Sequence, residues 1–174
     1  MTFDDGPHPE ITPWLLDFAL QEDIQFTFFW LGKNSEKYPE LVKRAVNEGH
    51  TVANHGMEHL NAYSVNHTDY LQNVAKGQAN APHSFFRPPY GRLSWRKARS
   101  IAENTKIVMW TWLSYDWLPD QYPKKILNRL KKDVRSGKIL VFHESEKTKH
   151  KIKQILPEAI AHIKSIGLEI KALK

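Results

Sequence analysis

The chain has 174 residues, 41% hydrophobic and 25% charged, the make-up of one ordinary globular domain with enough apolar material for a core. It has no cysteine, which excludes disulfides, thiol nucleophiles and thiolate metal sites, so any metal must be held by histidine, aspartate or glutamate. The net charge of +6, with Lys and Arg dense over 124–135 and 147–153, suits solvated helix faces or an anionic polymer, and no aromatic-interleaved basic motif points to nucleic acid.

Met1 leads straight into Thr2-Phe3-Asp4-Asp5, so no signal peptide is visible, and no run of ~18 apolar residues is present to cross a membrane. In chain order, the first expected strand is Met1–Phe3. A helix then begins at Thr12-Pro13, with Thr as cap and Pro in the first helical position, and puts Trp14, Leu15, Phe18 and Ala19 on one face. Strand Phe26–Trp30 follows. The next helix, from Pro39 to Glu48, turns Leu41, Val42, Ala45 and Val46 inward and is stopped by Gly49. Strand His50–Asn54, helix Thr68–Gln78, strand Ser84–Arg87 and helix Ser94–Asn104 come next. The remainder reads as strand Lys106–Thr111, helix Pro123–Val134, strand Ile139–Phe142, helix Lys149–Ser165 and strand Leu168–Ala172. No repeat or linker divides residues 1–174.

Seven strands alternating with six helices imply parallel βαβ units in an α/β fold, either a barrel or a doubly wound sheet. A complete eight-fold barrel takes ~250 residues, so a barrel here is reduced. In both architectures ligands gather beyond the carboxyl ends of the strands. Asp4-Asp5-Gly6-Pro7, His55 and His59, Arg87-Pro88-Pro89-Tyr90, Ser114, Asp116 and Trp117, and His143 all fall there. Acids, imidazoles, an arginine and aromatics therefore meet on one face.

A hydrolytic zinc site takes three His or carboxylate ligands and keeps one position open. His55 and His59 are four apart, which brings them to one face on a helical turn. One carboxylate completes the set. Adjacent side chains on extended backbone point opposite ways, so of Asp4 and Asp5 one can bind metal while the other faces substrate. His55-Gly56-Met57-Glu58-His59 also reads as H-x-x-E-H, the inverted zinc-peptidase pattern, which needs a helix through both histidines and makes Glu58 essential. Gly56 costs such a helix about 1 kcal/mol.

The ordered set of motifs resembles the polysaccharide deacetylase domain of carbohydrate esterase family four, the NodB-homology domain. Thr2-Phe3-Asp4-Asp5-Gly6-Pro7 matches its first motif. His55-Gly56-Met57-Glu58-His59 resembles the second, H-S/T-x-x-H, and Arg87-Pro88-Pro89-Tyr90-Gly91 matches the third. Leu113-Ser114-Tyr115-Asp116-Trp117 resembles the fourth, D-x-x-D-W, and Val141-Phe142-His143 the fifth, L-x-H. The resemblance implies one catalytic domain over 1–174, a reduced or distorted (β/α)7 TIM-like barrel whose first strand is short. It implies Asp4 as general base, Arg87 holding Asp4, and Asp116 orienting His143, the general acid. Asp5, His55 and His59 would hold Zn2+, or another divalent metal such as Co2+ or Ni2+. The Tyr90 N–H would serve the oxyanion, with Pro88, Trp117 and Val141 lining the substrate pocket. The chain departs from the pattern at Gly56, Leu113 and Val141.

The activity implied is removal of N-acetyl or O-acetyl groups from a carbohydrate polymer or oligosaccharide. GlcNAc units of peptidoglycan or a chitin-like chain come first. The alternatives are acetyl-xylan esterase, small-molecule amidase, zinc peptidase and a carbohydrate-binding relic without turnover. The family implies a bacterial cell envelope or secreted location, and no residue pattern speaks to oligomeric state.

Overall fold

A computed structural model describes residues 1–174. Seven parallel strands form one sheet: β1 Thr2–Asp4, β2 Thr27–Trp30, β3 Thr51–Asn54, β4 Phe85–Phe86, β5 Lys106–Ile107, β6 Trp112–Leu113 and β7 Leu140–His143. Their order is β5-β4-β3-β2-β1-β7-β6. Between them run α1 Ile11–Glu22, α2 Gly32–Lys37, α3 Pro39–Asn47, α4 His67–Gln78, α5 Trp95–Ala102, α6 Pro123–Asp133 and α7 Lys149–Ser165. The edge strands β5 and β6 are joined by residues 108–111 alone, a link that can span at most roughly 18 Å. The two edges therefore face each other across a narrow gap, and the sheet is a distorted (β/α)7 barrel.

Strand alternation sorts the residues into two layers. Phe3, Phe28, Trp112 and Phe142 point outward into one large core with α1, α6 and α7. Phe3 packs against Phe26 at 4.9 Å and Phe142 at 5.9 Å between ring centroids. Register places Asp4 beside Phe29 and His143, and Leu113 beside Val141, so these residues share the barrel interior.

Two expected strands are corrected. The run Lys106–Thr111 is strand only at Lys106–Ile107, where Ile107 pairs with Phe86; its far end, Thr111, donates its N–H to the Ile139 carbonyl at 3.1 Å and leads into Trp112, which pairs with Leu140 at the opposite edge. The intervening carbonyls of Val108 and Met109 accept hydrogen bonds from Arg87 instead of a ladder. Leu168–Ala172 forms no strand. Leu168 and Ile170 pack against the core, and Leu173 is tied to Thr27 and Thr51 by side-chain hydrogen bonds. Its apolar pattern reports burial, not pairing. Helix α2 carries no apolar stripe in its Gly-Lys-Asn-Ser-Glu-Lys sequence and so gives no helical pattern to read. Gly49 does end α3 with φ of 82°.

Thr12 does not cap α1, which begins at Ile11. Its hydroxyl accepts from the His8 N–H and donates to Glu144, whose other oxygen accepts from Trp30 Nε1 at 2.6 Å. Burial pushes the Glu144 carboxyl from 4.5 up to about 8, against the downward pull of those two hydrogen bonds. A pKa raised on folding favours the protonated fold, so this stability is complete below 4.5 and lost as pH rises through about 8. Glu144→Gln, neutral at every pH, should flatten the decline of Tm between about pH 5 and 8 in thermal melts. An unchanged slope would show that Glu144 ionises freely in the fold.

Candidate active site

Asp4 closes β1, the strand lying between β2 and β7, and is 2% exposed. Arg87, just past β4, is fully buried and donates from one terminal nitrogen to Asp4 Oδ1 and Thr2 Oγ1, each at 2.7 Å. Its guanidinium lies 3.9 Å over the Phe29 ring. With the carbonyls of Val108 and Met109 added, the arginine is held on all sides and fixes Asp4. Asp5 leaves the strand in the left-handed region, φ 77°, its N–H donating to the Phe29 carbonyl at 3.2 Å. That turn gives the two adjacent carboxylates separate surroundings.

Asp5 Oδ1 stands 3.6 Å from His55 Nε2 and 3.4 Å from His59 Nε2, and the three ligand atoms lie within 4.8 Å of one another. Ligands bonded at ~2.0–2.1 Å in a tetrahedral shell stand roughly 3.3 Å apart, so the spacing suits a small divalent ion. Asp5 Oδ1 is buried without a hydrogen-bond donor. Burial pushes the Asp5 carboxyl up, with His55 and His143 opposing, and a cation would reverse that cost. Burial also pulls the pKa values of both imidazoles down, which favours the neutral form. His55 Nδ1 lies 2.7 Å from the Arg87 carbonyl, an acceptor only, so Nδ1 carries the proton and Nε2 presents its lone pair. These residues fit a metal.

The histidines converge through an irregular loop, not along a helix as their spacing suggested. Gly56 sits at φ 88°, and a Cβ there would lie 2.7 Å from Asn73 Nδ2. Asn54 Oδ1 accepts from the Gly56 N–H at 2.7 Å, and Asn73 brackets Glu58 through both backbone groups. This chain therefore supports the loop by two asparagines where the family pattern has Ser or Thr at position 56. Gly56→Ser should lower zinc affinity, by about 10-fold or more, and not restore a missing prop. Isothermal titration measures it, and equal or tighter binding would contradict the asparagine account. The inverted peptidase pattern fails here: no helix carries the pair, and Glu58 is ion-paired with Lys33 at 2.5 Å.

Across the cleft, His143 Nδ1 lies 2.8 Å from Asp116 Oδ1, and the His143 N–H donates to Asp116 Oδ2 at 2.9 Å. Asp116 is fully buried. The carboxylate fixes the proton on Nδ1 and aims Nε2 away from itself, toward the cleft. Trp117 stands edge-on to His143 at 4.6 Å, and Tyr90 edge-on to His59 at 4.4 Å. Tyr90 occupies a tight turn at φ 60°. Gly91 after it, at φ 63°, lies so close under Trp110 that any Cβ would collide with the ring.

These groups line one cavity of about 570 Å³ that includes Asp4, Asp5, His55, His59, Pro88, Tyr90, Trp117 and His143. Arg87 and Asp116 lie behind its wall. Val141, expected to line the pocket, is fully buried one level below His143, and its neighbour Leu113 takes the wall position. The strand period would have shown that both face inward, but not that the rim belongs to Leu113. Asn61, Arg92, Trp110, Tyr115 and Ser145 also line the cleft. Only their proximity to the motifs could have suggested them.

Fold and site together define a class: a distorted (β/α)7 barrel bearing at its carboxyl end a cleft lined by carboxylates and imidazoles. The chain belongs to the polysaccharide deacetylase family, whose model matches residues 1–110. Two peptidoglycan-N-acetylglucosamine deacetylases of Bacillus cereus are 40% identical over 124 residues and 32% identical over 173. The first alignment takes in 67% of this chain and 45% of that protein, the second 91% and 79%. This chain thus spans less than half of the first relative. Among solved structures, the Bc1960 peptidoglycan N-acetylglucosamine deacetylase, in complex with 4-naphthalen-1-yl-N-oxidanyl-benzamide, superposes with a TM-score of 0.85 at 31% identity. That match covers 99% of this chain and 84% of the other.

Proposed function

We propose that this chain is a metal-dependent hydrolase that removes N-acetyl groups from GlcNAc units of peptidoglycan or of a chitin-like oligosaccharide at the bacterial cell envelope. The observation that carries the reading is the pairing, in one cleft, of Asp4 beside the Asp5–His55–His59 triangle with the Asp116-bound His143 opposite. The peptidoglycan deacetylases among the relatives support the substrate class.

A divalent metal held by Asp5, His55 and His59 would supply Lewis acidity toward the acetyl carbonyl and the attacking water. Asp4, held by Arg87, takes the proton as water adds to the acetyl carbon. The Tyr90 backbone N–H receives the developing oxyanion, a donor typically worth about 3–4 kcal/mol. His143 delivers its Nε2 proton to the nitrogen as the carbon–nitrogen bond breaks, since an amine leaves poorly as an anion. Acetate and a free glucosamine remain.

The test follows acetate release from N-acetyl-chito-oligosaccharides and from peptidoglycan fragments, with acetyl-xylan and casein alongside. Activity on the N-acetyl substrates should vanish with a chelator and return with zinc. Zinc-loaded protein that cleaves only acetyl-xylan or casein would overturn the N-acetyl assignment. Undiminished release after complete metal removal would overturn the metal's role.

A further inference from the structure

We propose that Arg129 of α6 and Lys151 of α7 are positioning residues for the acid pair, clamping the backbone of residues 113–118 so that Asp116 meets His143. The proposal rests on the deacetylase reading for what His143 does, but not for how the loop is held.

Strand β6 has two residues and lies at the sheet's edge, so the chain beyond it has ladder support from β7 alone, ending with the Ser114 N–H on the Val141 carbonyl at 3.0 Å. The next residue, Tyr115, turns at φ 56°. Nothing in regular secondary structure then fixes where Asp116 points. Arg129 supplies the hold from one side: a terminal nitrogen donates to the carbonyls of Leu113, at 3.0 Å, and Ser114. Its guanidinium sits 4.9 Å from the Trp112 ring centre and 5.1 Å from that of Tyr115, so loop and cation interlock. Lys151 supplies the hold from the other side, donating to the Asp116 carbonyl at 2.9 Å and the Leu118 carbonyl at 2.7 Å. Both clamps seize the stretch of main chain that carries Asp116. Neither side chain lines the cleft.

A general acid matters most when the leaving group is poor. Arg129→Met and Lys151→Met should therefore lower kcat on an N-acetyl-chito-oligosaccharide by about 10- to 100-fold with KM little changed. On 4-nitrophenyl acetate, whose phenolate departs unaided, the loss should stay under about threefold. Zinc affinity should hold, since the ligands sit on other loops. Arg129→Lys, which keeps a donor, should recover part of the amide activity. Equal losses on amide and ester, or none on either, would overturn the proposal.

A second readout does not depend on turnover: the low-field proton NMR signal of His143 Nδ1–H bound to Asp116. It should shift or broaden in both Met variants, and an unmoved signal would overturn the positioning role. If it moves while wild-type protein releases no acetate, the clamp stands and the deacetylase reading falls.

Discussion

Asp4→Asn should reduce kcat on an N-acetylated oligosaccharide by about a thousandfold while zinc still binds. Asn keeps the shape and can still accept from Arg87, but it cannot take a proton from water. The change also removes the one full negative charge that answers the buried guanidinium. Breaking a buried pair typically costs about 3–5 kcal/mol. Here Arg87 keeps Thr2 and the carbonyls of Val108 and Met109, so the loss of stability should fall at or below the low end of that range. Calorimetric zinc titration and thermal melts separate the two effects from the kinetics. A variant that retained a tenth of wild-type turnover would rule out Asp4 as the base.

Asp116→Asn should act on the other limb of catalysis. Burial pulls His143 down, but the hydrogen bond and charge of Asp116 outweigh it, with Asp4 and Asp5 adding, and the net pKa rises to about 8. The protonated acid is thus present at neutral pH and lost as pH passes about 8, which sets the basic limb of kcat/KM. The same sign holds for stability: a pKa raised from 6.5 contributes fully below 6.5 and fades above about 8. A divalent ion held at Asp5 would replace that carboxylate's attraction with a net positive charge and move the limb down. With Asn at 116 the two strongest upward pulls are lost, so the limb should move to lower pH and turnover at neutral pH should drop by about 10²- to 10⁴-fold. A pH profile whose basic limb stayed in place would show that another group is the acid.

The barrel was legible because strand and helix periods alternate along the chain, and buried parallel strands read as short apolar runs. What stayed hidden was which partner each run would find. Lys106–Thr111 is one apolar stretch in sequence, yet its two ends belong to opposite edges of the sheet. The side chain that takes up the carbonyls of that crossing, Arg87, is 21 residues from Val108 and 22 from Met109. With the family resemblance singling out Asp5 over Asp4, the candidate Asp–His–His grouping was legible in part from residue type and strand-end position. Its support was not, because Asn54 and Asn73 carry no signature of their own until the loop brings them to Gly56. Thr12 looked like a helix cap because its neighbour is Pro13, and only the distant Glu144 reveals its other use.

The segments that flank the cleft are gripped by cations at their peptide oxygens. Arg87 takes Val108 and Met109, Lys97 takes Ala62 and Val65, Arg129 takes Leu113 and Ser114, and Lys151 takes Asp116 and Leu118. Every residue type offers the same oxygen, so this mode of anchorage is blind to the side chain it holds. Wall side chains such as Leu113 can then change and reshape what the cleft accepts without loosening the loops that present Asp116 and His143. The same separation makes positions 113 and 117 natural targets for a randomised library, with the four anchoring cations and the Tyr115 ring against Arg129 left untouched.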